Sequence, residues 1–126
     1  MISFLFSLSS LSRRILFLAY LFLIIFLSLS PPSQFPKTIL FHGADKLIHL
    51  LMYAGLAWML MWAFYKGHLS KLIRVFLFLS IPVWGILMEI MQLFMHQGRS
   101  FSWFDILANF VGAGIGVLVF RLMKRV

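Results

Sequence analysis

Four long apolar runs divide the chain, and short polar or basic segments separate each run from the next. The runs cover about residues 15–30, 45–65, 75–95 and 104–122. Each is close to the roughly 20 residues that a helix needs to cross the hydrocarbon core of a bilayer. In lipid, every backbone polar group must be paired within the protein, as it is in a helix. The pattern therefore predicts one all-α domain over residues 1–126, an integral membrane four-helix bundle.

Three local features qualify the predicted spans. Residues 1–12 are apolar and rich in serine, and the pattern leaves open whether they begin a helix or lie at the membrane interface. The arginine pair and apolar run that follow resemble a signal peptide. Because cleavage in front of Pro31 would place proline directly after the cut, we expect an uncleaved span. Pro82, in the third run, is expected to kink that helix or to free one of its carbonyls.

The composition agrees with a membrane location and narrows the partners. Hydrophobic residues make up 63% of the chain and the mean hydropathy is +1.02, which leaves too little polar surface for a water-soluble globule. The net charge of +8 would suit nucleic acid, but the basic residues form short groups beside the apolar runs, as membrane-flanking charges do. We therefore predict the lipid bilayer as partner, and no nucleic acid. Cysteine is absent, which excludes disulfides and thiol chemistry, and no motif calls for a cofactor.

The basic residues predict how the spans are oriented. Eight of the eleven lie in the two terminal flanks and the middle connector: Arg13, Arg14, Lys66, Lys71, Arg74, Arg121, Lys124 and Arg125. The other three, Lys37, Lys46 and Arg99, lie in the remaining two connections. Cytoplasmic loops carry an excess of lysine and arginine. The count therefore predicts a multi-pass protein of the cytoplasmic (inner) membrane with both termini in the cytoplasm.

Polar side chains recur at helical spacing within the last three runs. The sets are Asp45, His49 and Tyr53; Gly85, Glu89, Gln92 and His96; and Asp105, Asn109, Gly112 and Gly116. Residues three or four apart share one face of a helix, and all three acidic residues of the chain belong to these sets. We therefore expect one polar site near the extracytoplasmic ends of the spans. The small residues Gly112 and Gly116 would let another helix approach closely.

Four of these polar residues also have a structural interpretation. Asp105 follows Ser102 by three residues, as in a capping box, and Asp45 could cap the second span. For both aspartates the structural and functional interpretations stay equally open. For Asn109 and Gln92 we favour hydrogen bonds between helices over a role in a site.

Glu89 differs because it lies inside the third run, seven residues before His96 and so roughly 10 Å from the helix end. No capping role explains it. A buried carboxylate needs a cation or a proton, and Lys46, His49 and Arg99 are the candidate partners. Histidines and carboxylates together could coordinate a metal, but the sequence has no compact ligand spacing, so no metal is predicted.

The segment DKLIHLLMY, the later E-x-x-Q and the segment GRSFSWFDILANFVGAGIG resemble the VanZ-like family of small bacterial membrane proteins. The family pattern D-K-x-x-H, E-x-x-Q, R-x-x-x-x-x-D and N-x-x-G falls on Asp45, Lys46, His49, Glu89, Gln92, Arg99, Asp105, Asn109 and Gly112. The resemblance covers about residues 45–118, and the turn HQGR departs from the proline-containing turn expected in many relatives. It implies a small helical membrane protein. The member that gives the family its name is associated with low-level resistance to teicoplanin, a lipid-tailed glycopeptide.

The first function that these residues would allow is binding. A polar site facing the extracytoplasmic side would act on or shield lipids or lipid-linked envelope precursors, modulate the cell envelope and lower susceptibility to lipid-tailed glycopeptides. The binding residues would be Asp45, Lys46, His49, Glu89, Gln92, Arg99, Asp105 and Asn109.

Two other functions remain as alternatives. A membrane enzyme acting on a lipid-linked or envelope substrate would use Glu89 as general acid or base and His49 as its partner, with Asp105 as a third catalytic candidate. Lys46 and Arg99 would then hold an anionic head group. No nucleophile motif accompanies them. A proton-coupled transporter would use Glu89 and His49 as a relay, and it would require a homo-oligomer because a four-span monomer is small for alternating access.

Overall fold

The computed structural model describes residues 1–30, 44–95 and 102–124, except for the side chains of residues 44 and 45. These residues form the helices α1 (Ile2–Ser7), α2 (Ser10–Leu29), α3 (Ala44–Phe64), α4 (Lys71–Phe94) and α5 (Trp103–Lys124). The helices α2 to α5 are long and apolar enough to cross a membrane. The predicted all-α fold with four membrane-spanning helices is therefore confirmed. Pro31, Arg99 and the side chain of Asp45 lie outside the described residues.

The start of the chain is helical on both sides of a short break. Ser9 is the N-cap of α2, and its hydroxyl oxygen accepts a hydrogen bond from the backbone N–H of Ser12 at 3.0 Å. This cap explains why α2 begins ahead of the predicted start near residue 15. The helix α1 packs on the bundle, since the indole N–H of Trp62 donates to the carbonyl of Leu5 at 3.0 Å. Residues Ile2–Ser7 are therefore helical, and their position relative to the membrane interface stays a prediction.

The helix α3 is central and packs most extensively on α5. The two backbones are in contact along this seam. A Cβ added at Gly112 would collide with the carbonyl oxygen of Leu50, and one added at Gly116 with that of Ala54. The close approach predicted for the two glycines is confirmed, and α3 is the helix that approaches. The helices α2 and α4 complete the bundle around this pair.

The helix α4 runs without a break through the buried Pro82. Proline has no N–H, so the carbonyl of Phe78, four residues earlier, cannot receive its usual helical hydrogen bond. The freed carbonyl that the sequence predicted therefore lies inside a continuous helix. Pro82 changes the local hydrogen bonding without dividing the span.

At the end of the bundle where α3 and α5 finish, arginines hold the helices together. Arg13 is buried, and its Nη1 donates to the carbonyl of Trp62 at 2.9 Å. That carbonyl belongs to the last turn of α3, where it also accepts from the N–H of Tyr65 at 3.3 Å and where the helix dipole favours a cation. The guanidinium of Arg14 lies over the ring of Phe64, 5.5 Å from its centroid. Two charges that the sequence suggested only as topology signals thus also fasten α2 to α3.

Candidate functional site

Polar residues from three helices meet where α3 and α5 begin and α4 ends. We call them the polar cluster: Lys46 and His49 on α3, Glu89 on α4, and Asp105 and Asn109 on α5. The helices α3 and α5 run parallel, so both present their N-termini to the cluster. Since the dipole of a helix favours negative charge at its N-terminus, these two ends stabilise the carboxylates of the cluster.

Asp105 lies at the centre of the cluster. The ammonium of Lys46 contacts its Oδ1 at 2.7 Å, and the Nε2 of His49 lies 3.8 Å from its Oδ2. Apart from this ion pair, Oδ1 has no hydrogen-bond partner among the described residues. The carboxylate is mostly buried whereas 39% of the Lys46 side chain is exposed, so the pair has one end in the protein and one end toward the surface.

The imidazole of His49 is held by Asn109. Its Nδ1 lies 3.1 Å from the Oδ1 of Asn109, whose side chain is fully buried. With the amide oxygen as acceptor, Nδ1 carries the proton, and Nε2 is left to face Asp105. Gly85 provides the space for this contact, because a Cβ there would lie 2.8 Å from the Nδ2 of Asn109. His49 therefore has a fixed orientation between an amide and a carboxylate.

Glu89 is almost fully buried, with 2% of its surface exposed. Its Oε2 accepts a hydrogen bond from the backbone N–H of Ser102 at 3.3 Å. Ser102 directly precedes α5, so this N–H is one of the backbone donors that a helix start leaves without an internal partner. The Glu89 carboxylate, on α4, thus caps the N-terminus of α5.

This contact corrects the capping box expected at Ser102 and Asp105. The hydroxyl of Ser102 does accept from the N–H of Asp105, at 3.4 Å, as the first half of the motif requires. In the second half, however, Glu89 takes the N–H of Ser102, and the side chain of Asp105 pairs with Lys46. The sequence offered a local acid for that N–H and no sign that a residue of another helix would take it. Asp105 is consequently available to the cluster.

Three residues of the cluster could together contact a cation. One ligand atom each from His49, Glu89 and Asp105 lies within 4.8 Å of the others. The sequence showed no compact ligand spacing because the three residues come from three helices, and the fold brings them together. The ammonium of Lys46 already supplies a positive charge to this group. The absence of a metal stays a prediction.

Gln92 lies one helical turn beyond Glu89 and is also buried. Its Nε2 donates to the carbonyl of Ser28 at 2.5 Å, in the last turn of α2. The bond links two helices and satisfies a carbonyl that the end of α2 would otherwise leave unpaired. Gln92 and Asn109 thus both make the interhelical hydrogen bonds that one of their two interpretations predicted, Gln92 toward α2 and Asn109 within the cluster.

The sequence model of the VanZ/LLP1 family matches residues 6–124, which is nearly the whole chain. The resemblance that rested on the polar motifs is therefore confirmed over a longer range than the motifs cover. No curated protein and no solved structure matches the chain significantly. The family assignment and the four apolar helices agree on a multi-pass membrane protein.

Proposed function

The chain belongs to the VanZ/LLP1 family, and from this premise we propose that its polar cluster binds the anionic head groups of lipids or lipid-linked envelope precursors. Occupancy of the site would modulate the cell envelope and lower susceptibility to glycopeptides that carry a lipid tail. One observation carries the proposal: polar contacts run unbroken from Lys46 through Asp105 and His49 to Asn109 inside an apolar bundle.

The cost of burying these groups supports a role beyond stability. Charged side chains within membrane spans are expensive, and a buried ion pair is seldom more stabilising than apolar residues of the same volume. A chain with only three acidic residues nevertheless brings two of them to one place.

Lys46 is the residue best placed to meet an anion. Its side chain is the most exposed member of its ion pair, and lysine carries a compact charge on a flexible stem. The N-termini of α3 and α5 point the same way and add positive potential. An anionic head group could therefore compete with Asp105 for the ammonium, while the deeper Asn109 keeps His49 in position.

The location of the cluster within the bundle supports an extracytoplasmic site. The start of the chain and the end of α5 lie together at the opposite end, where the ring centroids of Phe6 and Phe120 are 6.0 Å apart. The predicted cytoplasmic location of both termini would therefore place the cluster at the outer surface of the membrane.

The test expresses variants in a strain that lacks the protein. We expect His49→Gln and Glu89→Asp to abolish protection against a lipid-tailed glycopeptide while protein abundance stays normal. Susceptibility to an untailed glycopeptide serves as reference, because the proposal concerns the tail-bearing class. His68→Gln, in the exposed connector between α3 and α4, is the matched histidine control and should retain protection.

Two outcomes would overturn the proposal. If adding the wild-type protein changed susceptibility to neither the lipid-tailed nor the untailed glycopeptide, the resistance role would be contradicted. A phenotype that follows protein abundance across the variants would show that the cluster serves stability alone.

A second function, catalysis on a lipid-linked substrate, is favoured by one feature of the cluster. His49 is fixed by Asn109 so that its free nitrogen faces a carboxylate, and Glu89 lies within the same group, as a general acid and base require. The same strains distinguish this function from binding when their lipids and wall precursors are measured. If the protein is an enzyme, its substrate should accumulate in the Glu89→Gln strain. If it only binds, the lipid and precursor composition of that strain should be unchanged.

A further inference from the structure

A groove between α4 and α5, at the end of the bundle opposite the polar cluster, combines cations with an apolar floor. It has a volume of about 300 Å³ and is lined by Lys71, Arg74, Arg121, Val75, Phe78 and Val117. We propose that this groove, which we call the basic groove, binds an anionic phospholipid of the surrounding leaflet. The phosphate would lie among the three cations and an acyl chain along the floor.

The cations of the basic groove have no acidic side chain to pair with. The chain has three acidic residues, and all of them belong to the starts of α3 and α5 or to the last turns of α4. Within the described part of the chain, no hydrogen bond or ion pair involves the side chains of Lys71, Arg74 or Arg121. Three like charges around one groove repel each other, so an anion bound between them would be stabilised.

Three other basic residues at the same end are already engaged. Arg13 donates to a carbonyl of α3, Arg14 lies over the ring of Phe64, and the ammonium of Lys124 lies 5.0 Å from the ring centroid of Tyr65. The basic groove gathers three cations that make no such contact, whereas Lys66, which makes none among the described residues either, lies outside it. Charge that served only to orient the protein would not need to be gathered around a groove.

The order of the cations and the apolar residues along the helix axes fits a lipid. Lys71 and Arg74 are three residues apart in the first turn of α4 and so share a face, and Arg121 belongs to the last turn of α5. Phe78 lies seven residues beyond Lys71, about 10 Å deeper along the helix. Its ring packs edge-on against Phe110, 5.4 Å between centroids, and closes the deep side of the floor. The cations thus lie at head-group depth and the floor lies in the hydrocarbon.

The charges select among lipids. Basic pockets between helices at the cytoplasmic side of a membrane favour head groups with several phosphate charges. A zwitterionic head group brings its own cation and gains less. We therefore expect cardiolipin, with two phosphates, to bind more tightly than phosphatidylglycerol, and phosphatidylcholine to bind weakly. Inorganic phosphate would meet the cations but not the floor.

The test uses the full-length protein purified in a neutral detergent. Native mass spectrometry would count retained lipid during titration with cardiolipin, phosphatidylglycerol or phosphatidylcholine, and thermal unfolding would report stabilisation by each lipid and by inorganic phosphate. Removing three cations by Lys71→Gln, Arg74→Gln and Arg121→Gln together should weaken cardiolipin binding about a hundredfold. The matched control removes Arg14, Lys66 and Lys124 in the same way and should change binding by less than about threefold.

A second variant blocks the basic groove without altering charge. Val75 lines the groove with an exposed side chain, so Val75→Trp should fill it and prevent cardiolipin binding in a folded protein. Val83→Trp, at an exposed position two turns further along α4, is the control. Equal losses in the two triple variants, normal binding by Val75→Trp, or equal stabilisation by inorganic phosphate would each overturn the proposal. Equal losses in the triple variants would show diffuse electrostatic attraction. Equal stabilisation by inorganic phosphate would show a site for a soluble anion.

Discussion

At the end of the bundle where α3 and α5 begin, the described charged groups have polar partners within the protein. Lys46 pairs with Asp105, and Glu89 accepts from the N–H of Ser102. At the opposite end, where α3 and α5 finish, all but one of the described lysines and arginines contact a carbonyl or an aromatic ring or line the basic groove, and the exception is the exposed Lys66. The acids of the chain are few and are gathered at one end. This difference separates a polar network built around carboxylates from cations that have no acidic side chain near them.

The two ends of the bundle should respond differently to the loss of a charged side chain. A network of paired groups is sensitive to the loss of any one member, because the partner left behind is stranded. Cations that contact a carbonyl or ring can be lost singly with a local effect. The seam of α3 and α5 joins the two ends, so a change within it should disturb both.

The largest effect is expected from Gly112→Leu. A side chain at this position would collide with the carbonyl of Leu50, and the helices would have to separate. We expect a loss of about 3 kcal/mol or more in the free energy of unfolding, at or beyond the usual range for overpacking, because the obstacle is backbone. Unfolding in detergent and accumulation in membranes would measure it.

The control for this change is Gly114→Leu. Gly114 lies on the same helix but has nothing within 4 Å of the position of its Cβ. Normal accumulation of Gly114→Leu would assign the effect to the seam. If Gly112→Leu were as stable as Gly114→Leu, the close contact of α3 and α5 would be contradicted.

A smaller effect is expected from Arg13→Gln, at the basic end. Loss of the bond to the Trp62 carbonyl should cost about 2 kcal/mol, the range for a hydrogen bond with a charged partner. Arg14→Gln removes an equal charge beside it and should cost less than about 1 kcal/mol, since this side chain is exposed. Thermal unfolding of the two variants in parallel gives the comparison. Equal losses would mean that Arg13 acts by charge alone.

The sequence predicted the parts of the molecule that depend on local patterns. Apolar length gave the spans, and the spacing of Gly112 and Gly116 gave the close seam. The polar stripes predicted that His49, Glu89 and Asp105 would share one end of the bundle, and they do. Their role as a site remains a prediction.

Other features depend on which helices become neighbours, which no local pattern encodes. The bond from Ser102 to Glu89 joins residues thirteen apart on different elements, and it replaced a capping box that local spacing favoured. The buried position of Arg13 depends on the carbonyl of Trp62, forty-nine residues away. Charge count alone assigned Arg13 to the membrane surface. Which of the basic side chains beside a span becomes buried depends on how the helices pack.

The smallest effect tests the pairing of Lys46 with Asp105 by a double-mutant cycle. Lys46→Gln leaves the mostly buried Asp105 without its ammonium, whereas Asp105→Asn leaves a lysine that water can reach. We therefore expect Lys46→Gln to lower stability more than Asp105→Asn, and the double variant to lose less than the sum. Because Lys46 is partly exposed, the coupling should be about 1 kcal/mol, near the upper limit for surface pairs.

Unfolding of the wild type and the three variants in detergent would measure this coupling. A control cycle of Lys71→Gln with Asp105→Asn, whose side chains lie at opposite ends, should show none. Additive losses in the first cycle would contradict an internal network at this end, and the difference between the two ends would then be one of location alone.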